Sequence, residues 1–299
     1  MKKLFVLLLV MSAAAAVASA KNVALVNEKP ITQEELDRSV KRFLNRMGGR
    51  LSRNPQVDRF VLESLINEEL RDQYIKTQGI KVTNVDLYEA VKERRRQVMD
   101  EYGKELEDWV MEQGYDRGSY REALRAELRL KKYNDQVATK DRLEKHLAKY
   151  RNHFNGEARL VLHIGIRASK DTRTREEAKQ LVEEVRKQLE GGADFGQLAE
   201  EKSEGPGKEN GGMLGYIKWD NPKLAPSFKR VVFALNKSQL SPPVPSSQGY
   251  HLFRVDDVKP GKEVRLSQVE AEVRRDFLEA HLTAVVAQAR KEAQIEILL

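Results

Sequence analysis

The chain of 299 residues contains no cysteine. Disulfide frameworks, thiolate zinc sites and thiol nucleophiles are therefore excluded, as is a lipid anchor on an N-terminal Cys. Imidazole chemistry has few candidates: His146, His153, His163, His251 and His281. After residue 20, no apolar run approaches the length of a membrane span. Neither sign of charge dominates, with 53 Lys+Arg against 46 Asp+Glu and a net charge of +7. A third of the residues are charged, which suits long exposed helices better than an all-β core. The length fits about two domains.

The N-terminus reads as an address. Lys2 and Lys3 precede an apolar run from Leu4 to Val10, continued by Ala13 to Ala18. Ala18-Ser19-Ala20 then supplies the small residues that a signal peptidase needs. The stretch of about 15 apolar residues falls short of the roughly 20 needed to span a bilayer. An uncleaved anchor is the competing reading. We take residues 1–20 as a signal peptide, with a mature chain starting near Lys21 in an oxidising compartment such as the periplasm. Export, together with the lack of a concentrated basic and aromatic surface, argues against a nucleic-acid partner. Exported polypeptides or an anionic membrane surface suit the modest positive balance better.

Three blocks follow. Residues 21–155 open with the apolar run Val23 to Val26, broken by Asn27-Glu28-Lys29-Pro30. Helices are then signalled by Thr32-x-x-Glu35, by Pro55 with Phe60, Val61, Leu65, Ile66, Leu70 and Tyr74, by Thr83-x-x-Asp86, and by Ser119-x-x-Glu122. Part of their apolar surface is free to face another polypeptide, although most of it suits an ordinary helical core. Residues 156–258 change character. A β-rich run, Arg159 to Ile166, leads to a helix over about 174–190 and then to the Gly-rich segment 205–215. A short helix ends at Phe233-Ala234-Leu235, and Gly249 to Val255 alternates as a half-buried strand. This order predicts a compact α+β domain. Residues 259–299 form a long amphipathic helix from Ser267-x-x-Glu270, then the strand-like Ile295 to Leu298. A terminal strand needs a partner, and Val23 to Val26 is the unpaired candidate. The C-terminus is therefore expected to return to the N-terminal block, with the middle domain inserted between them.

His163-Ile164, Gly211-Gly212-Met213-Leu214-Gly215, the set Phe228, Phe233-Ala234-Leu235 and Pro243-Val244, and Gly249-Tyr250-His251 occur in that order. Together they resemble the signature of parvulin-type peptidyl-prolyl isomerases. The flanks, with Val26 to Thr32 leading into helices and a returning C-terminal helix, resemble the exported SurA/PrsA-type chaperones. The resemblance implies an α+β architecture: a helical chaperone domain with an inserted parvulin-like domain, acting on X-Pro bonds of unfolded exported or outer-membrane polypeptides. It implies no cofactor, no metal and no stable membrane anchor. His163 and His251 would be the paired central imidazoles, and Ser246 the hydroxyl beside them. Leu214, Leu224 and Phe228 would form the proline pocket, with Met213 adjoining. For each apolar residue the competing reading is core packing, and for the His pair a structural hydrogen-bonded tandem.

One departure stands out. The position where this family carries Cys or Asp falls on Gly205, next to Glu204. Either turnover is reduced, or the loop shifts so that Glu204 substitutes. A non-catalytic holdase using the parvulin fold as a peptide-binding module is the alternative function. The basic loop Arg167 to Arg175, with Lys170 and Arg173, reads as a solvated loop or as a selector for an acidic residue before proline. His146, His153 and His281 lack metal-ligand spacing and read as surface residues, and Tyr216 and Trp219 as the pocket rim. An exposed terminal strand and open helical arms would allow a homodimer.

Overall fold

A computed structural model describes residues 21–48, 51–169, 172–222 and 224–299. The signal-peptide reading of residues 1–20 and the part of Lys170 in the basic loop lie outside the described residues. The chain folds as two compact units. One holds the described residues up to Val137 together with Leu278–Leu299, and the other is Ala138–Phe277, inserted between those two parts.

The first unit begins with a hairpin of β1 (Asn22–Val26) and β2 (Lys29–Thr32). Asn27-Glu28, read above as a break, is a tight turn with both φ angles positive, 48° and 66°. Such a turn matches the twist of the strands it joins. Five helices follow: α1 (Gln33–Arg46), α2 (Pro55–Thr77), α3 (Asn84–Tyr102), α4 (Leu106–Glu112) and α5 (Arg117–Val137). Thr32 Oγ1 accepts from Glu35 N, while Thr83 and Asp86 form a full reciprocal capping box. At α5 the cap is Asp116 rather than Ser119. Its carboxylate accepts from the N–H groups of Gly118 and Ser119, because one residue before the helix a short acid reaches the free donors of the first turn. Val23, Val26, Leu36, Val40, Leu62, Ile66 and Leu70 form the core, and a satellite of Leu87, Val98, Leu106, Val110 and Leu124 joins α3, α4 and α5.

The second unit contains α6 (Lys140–Lys149), α7 (Arg151–Phe154), β3 (Ala158–Arg167), α8 (Arg175–Glu190), α9 (Phe195–Lys202), β4 (Met213–Lys218), α10 (Pro226–Ala234), β5 (Val244–Ser246) and β6 (Gly249–Lys259). The sheet has the order β4-β3-β6-β5, every pair antiparallel. Strand alternation divides the core in two. Leu162, Ile164, Ile166 and Leu252 pack with residues of α8 and α9, whereas Val161, Phe253 and Val255 pack with Val232 and Phe233 of α10.

The helix α11 (Leu266–Glu292), kinked at Val269 where φ is −136°, contributes to both units and leads to β7 (Ile295–Ile297). As the unpaired run required, β7 lies antiparallel on β1, completing a sheet of order β2-β1-β7. The division by contact falls at 137/138 and 277/278. Residues 138–155 and 259–277, read above as parts of the flanking blocks, thus group with the inserted unit. The reason is a set of side chains far apart in sequence. His146 Nε2 meets Asp276 Oδ2 at 2.7 Å, Arg142 lies over the Phe277 ring, and Asn152 donates to Phe233 O.

Candidate active site

The period of two in a strand places the two central histidines. On β3, His163 and Gly165 share a face with Val161; on β6, His251 shares one with Phe253 and Val255. Antiparallel pairing sets His163 opposite Phe253 and Gly165 opposite His251. The imidazoles are therefore diagonal neighbours on the face towards α10, and Gly165 leaves room for them. A Cβ there would come within 3.0 Å of His163 Cε1 and 3.3 Å of His251 Nδ1. The rings are near-parallel with centroids 5.2 Å apart, and His163 also stacks on Phe253.

A continuous hydrogen-bonded chain runs through the pair. Ser246 Oγ and His251 Nε2 are 2.8 Å apart, His251 Nδ1 and His163 Nε2 2.9 Å, and His163 Nδ1 and Pro206 O 3.3 Å. The carbonyl can only accept, so His163 carries its proton on Nδ1. His163 Nε2 then accepts from His251 Nδ1–H, and His251 Nε2 accepts from the Ser246 hydroxyl. Gln248 N donates to the free side of that hydroxyl oxygen. The arrangement requires both imidazoles to be neutral, and their surroundings favour it. Burial pushes His163 below the ordinary histidine range, and burial with the neighbouring His163 pushes His251 down to about 4.

Apolar groups flank the chain. Phe228 of α10 lies 4.6 Å from the His251 ring, centre to centre, and Leu214 of β4 is half-buried in the same cluster. Leu224 is 9% exposed within that core, while Met213 is 49% exposed and lies outside that cluster. His163, His251, Ser246 and Phe228 thus meet directly, Leu214 and Leu224 share their apolar cluster, and Met213 stands apart from it. Phe253, Gly165, Ser203 and the Pro206 carbonyl escaped the sequence reading. Phe253 and Gly165 were discernible from alternation about the histidines, but nothing local marks Ser203.

The question at Gly205 has a geometric answer. A Cβ at this position would lie 2.4 Å from His163 Cε1, so the loop lies flat against the imidazole and accepts no side chain as it stands. Glu204 does not fill the gap. Its Oε2 accepts from Arg167 N at 2.7 Å and from Arg173 Nη1 at 2.6 Å. Burial raises its pKa, but these donors outweigh that and hold the carboxyl below its usual range. Arg175 of the basic loop is likewise committed internally, donating to Ser246 O and covering the Tyr250 ring.

The other histidines are not loose surface groups. His146 and His153 are both nearly buried around Asp276, and burial of that carboxyl is outweighed by the two imidazoles, which hold it far below its usual range. His281 Nε2 meets Tyr133 Oη at 2.8 Å. Trp219 stacks on His153, with centroids 3.4 Å apart and planes within 7°, and packs edge-on against Phe233 rather than lining a rim. Asp276 lies too far along the chain for sequence spacing to reveal these contacts. Among the described residues, no cluster of three or more His, Asp or Glu could hold a metal.

A four-stranded antiparallel sheet with helices on both faces and two hydrogen-bonded histidines at its centre defines a parvulin-type domain, set here into a helical unit. Comparison with known proteins agrees. Residues 163–257 match the PPIC-type PPIase domain, and residues 2–134 the SurA-like N-terminal domain. The chain thus carries a PPIC-type PPIase domain and a SurA-like N-terminal domain. It is 30% identical over 291 residues to the chaperone SurA of Methylobacillus flagellatus, covering 91% of this chain and 64% of that protein. It is 26% identical over 303 residues to the foldase protein PrsA of Clostridium tetani, covering 92% and 85% respectively. Among solved structures, the peptidylprolyl isomerase PrsA of Bacillus anthracis aligns with a TM-score of 0.43 and 22% identity, over 77% of this chain and 96% of that one. The chain spans 64% of the length of the SurA protein it matches.

Proposed function

We propose that this chain is a periplasmic peptidyl-prolyl cis–trans isomerase and folding chaperone acting on X-Pro bonds of exported, unfolded polypeptides. The observation that carries the reading is the neutral Ser246–His251–His163 chain on an apolar face beside Phe228. Rotation about an X-Pro bond meets a barrier of about 20 kcal/mol, because twisting the amide abolishes its resonance. No covalent bond has to break. The planar amide is more dipolar than the twisted one, so an apolar pocket with uncharged imidazoles disfavours the ground state relative to the transition state. In this reading Phe228, Leu214 and Leu224 hold the proline ring, Met213 contacts the flanking chain, and His163, His251 and Ser246 face the rotating amide. The signal-like residues 1–20 support export. Among the described residues no helix is long and apolar enough to cross a membrane.

The Gly205 site favours a second reading, a holdase in which the parvulin fold only binds peptide, because no polar side chain stands there. One experiment separates the two. The purified chain and its His251→Ala variant are assayed on X-Pro peptides with an acidic, a basic or an apolar residue before proline. Acceleration that the substitution lowers about tenfold or more supports isomerisation. Absence of acceleration on every peptide, with aggregation of an unfolded client still suppressed, transfers the conclusion to the holdase. With Arg173 and Arg175 bound internally, preference for the acidic peptide is expected to be small.

A further inference from the structure

At the active site, β3 outruns its neighbour. β4 pairs with it only as far as Leu162, after which His163 N donates to Gly212 O. The next donors along that edge, Gly165 N and Arg167 N, face no strand. Side chains meet them instead. Gly165 N donates to Ser203 Oγ at 3.1 Å and Arg167 N to Glu204 Oε2 at 2.7 Å, while Glu204 N returns a bond to Gly165 O. Ser203 is wholly buried, and its oxygen also accepts from Gly205 N at 3.2 Å. The hydroxyl thus ties the loop to the strand at the level of the two imidazoles. The loop's next carbonyl, that of Pro206, lies at His163 Nδ1.

We propose that Ser203 is a positioning residue that selects the tautomer of His163, and through it the direction of the whole hydrogen-bonded chain; its catalytic meaning rests on the isomerase reading above. By anchoring Gly205 N and Gly165 N together, Ser203 keeps the Pro206 carbonyl where only an Nδ1–H can answer it. The proton on His163 Nδ1 then commits the His251 proton to Nδ1 and the Ser246 hydroxyl proton to His251 Nε2. Loss of the hydroxyl leaves the buried Gly165 N–H and the part-buried Gly205 N–H without this acceptor and frees the loop to move. With the carbonyl displaced, the opposite tautomer of each ring becomes equally acceptable, and Ser246 no longer gives its proton to His251. Glu204 cannot take over this role, because its carboxylate serves Arg167 N, two residues further along the strand, and the Arg173 guanidinium of the following loop.

The test reads tautomers directly. The full chain with 15N-labelled histidine is compared by NMR near neutral pH with its Ser203→Ala variant, and kcat and KM are measured for both on an X-Pro peptide. The wild type is expected to show His163 and His251 protonated only at Nδ1. The variant is expected to show mixed tautomers at both rings and a kcat about tenfold lower at little-changed KM. Should Ser203→Ala not fold, Ser203→Cys carries the same comparison, being nearly isosteric with a weaker acceptor. Retention of a pure Nδ1–H state at His163 in the folded variant would overturn the proposal, whatever happens to the rate. If the wild type accelerates no peptide, the isomerase reading fails, and the tautomer comparison still decides the positioning role.

Discussion

Each side chain at the centre is constrained by its immediate neighbours. Gly205 is bare because His163 occupies the space a Cβ would need, and Gly165 is bare because both imidazoles pass over it. The imidazoles are neutral because burial disfavours their charged forms. A pH dependence follows, with its sign. The folded pKa of His251, about 4, lies below the ordinary histidine value, so between the two the unfolded chain binds more protons. Stability contributed by the neutral pair is fully present above about pH 6.5 and is lost as pH falls towards 4. Isomerisation is expected to be flat from about pH 8 to about pH 5 and to decline only below that, where an unperturbed imidazole would already have titrated. A rate profile with its midpoint near 6.5 would contradict the neutral chain. His163, His251 and Ser246 could be named from sequence because the family motif carries them. Ser203 and the Pro206 carbonyl could not, because a buried serine and a main-chain oxygen look like any others until the loop is closed.

Among the elements, the link between β3 and α10 governs how Phe228 is presented. Arg159 on β3 is 7% exposed, yet its guanidinium has several partners. It donates to the carbonyls of Val232 and Leu235 at the end of α10, pairs with Glu157, and lies over the Phe233 ring. A helix C-terminus has carbonyls without intrahelical partners, and a cation there satisfies both their hydrogen bonding and the helix dipole. Arg159→Met keeps the stem but strands those acceptors, and is expected to cost about 3 kcal/mol. Urea unfolding checks this through Trp219, in a Trp109→Phe background that leaves it as the remaining tryptophan of the two. A loss under about 1 kcal/mol would show that water replaces the guanidinium. The long periodic helices, the alternating strands and the return of β7 to β1 were legible, since each spans several turns or leaves an unpaired partner. The short helices α4, α6, α7 and α9 were not, because a stretch of only 4 to 10 residues has few turns in which to display a period.

For the whole molecule, the two units separate the two proposed tasks. The proposed isomerase site lies within Ala138–Phe277, while the first unit exposes large apolar side chains on its helices. Phe60, Val85, Tyr88 and Met111 are 58%, 71%, 66% and 65% exposed. Such residues, interleaved with charge, suit weak and general contact with unfolded segments. Replacing Phe60, Tyr88 and Met111 together by Ser is expected to reduce suppression of client aggregation several-fold while leaving prolyl isomerisation of short peptides within about twofold. Light scattering of a refolding client, run beside the peptide assay, checks both halves. Equal loss of the two activities would show that they are not separable.

The long helices, the α+β character of the middle of the chain and the returning strand follow from local pattern, because hydrophobic period and strand parity are written residue by residue, and the paired histidines follow from the resemblance of the motifs that hold them. The direction of the proton chain, the reason for a bare Gly205, the commitment of Glu204 to Arg173 and the gathering of His146 and His153 around Asp276 do not. Each depends on groups that are distant along the chain or belong to the backbone. Only closure of the tertiary structure brings them within hydrogen-bonding distance.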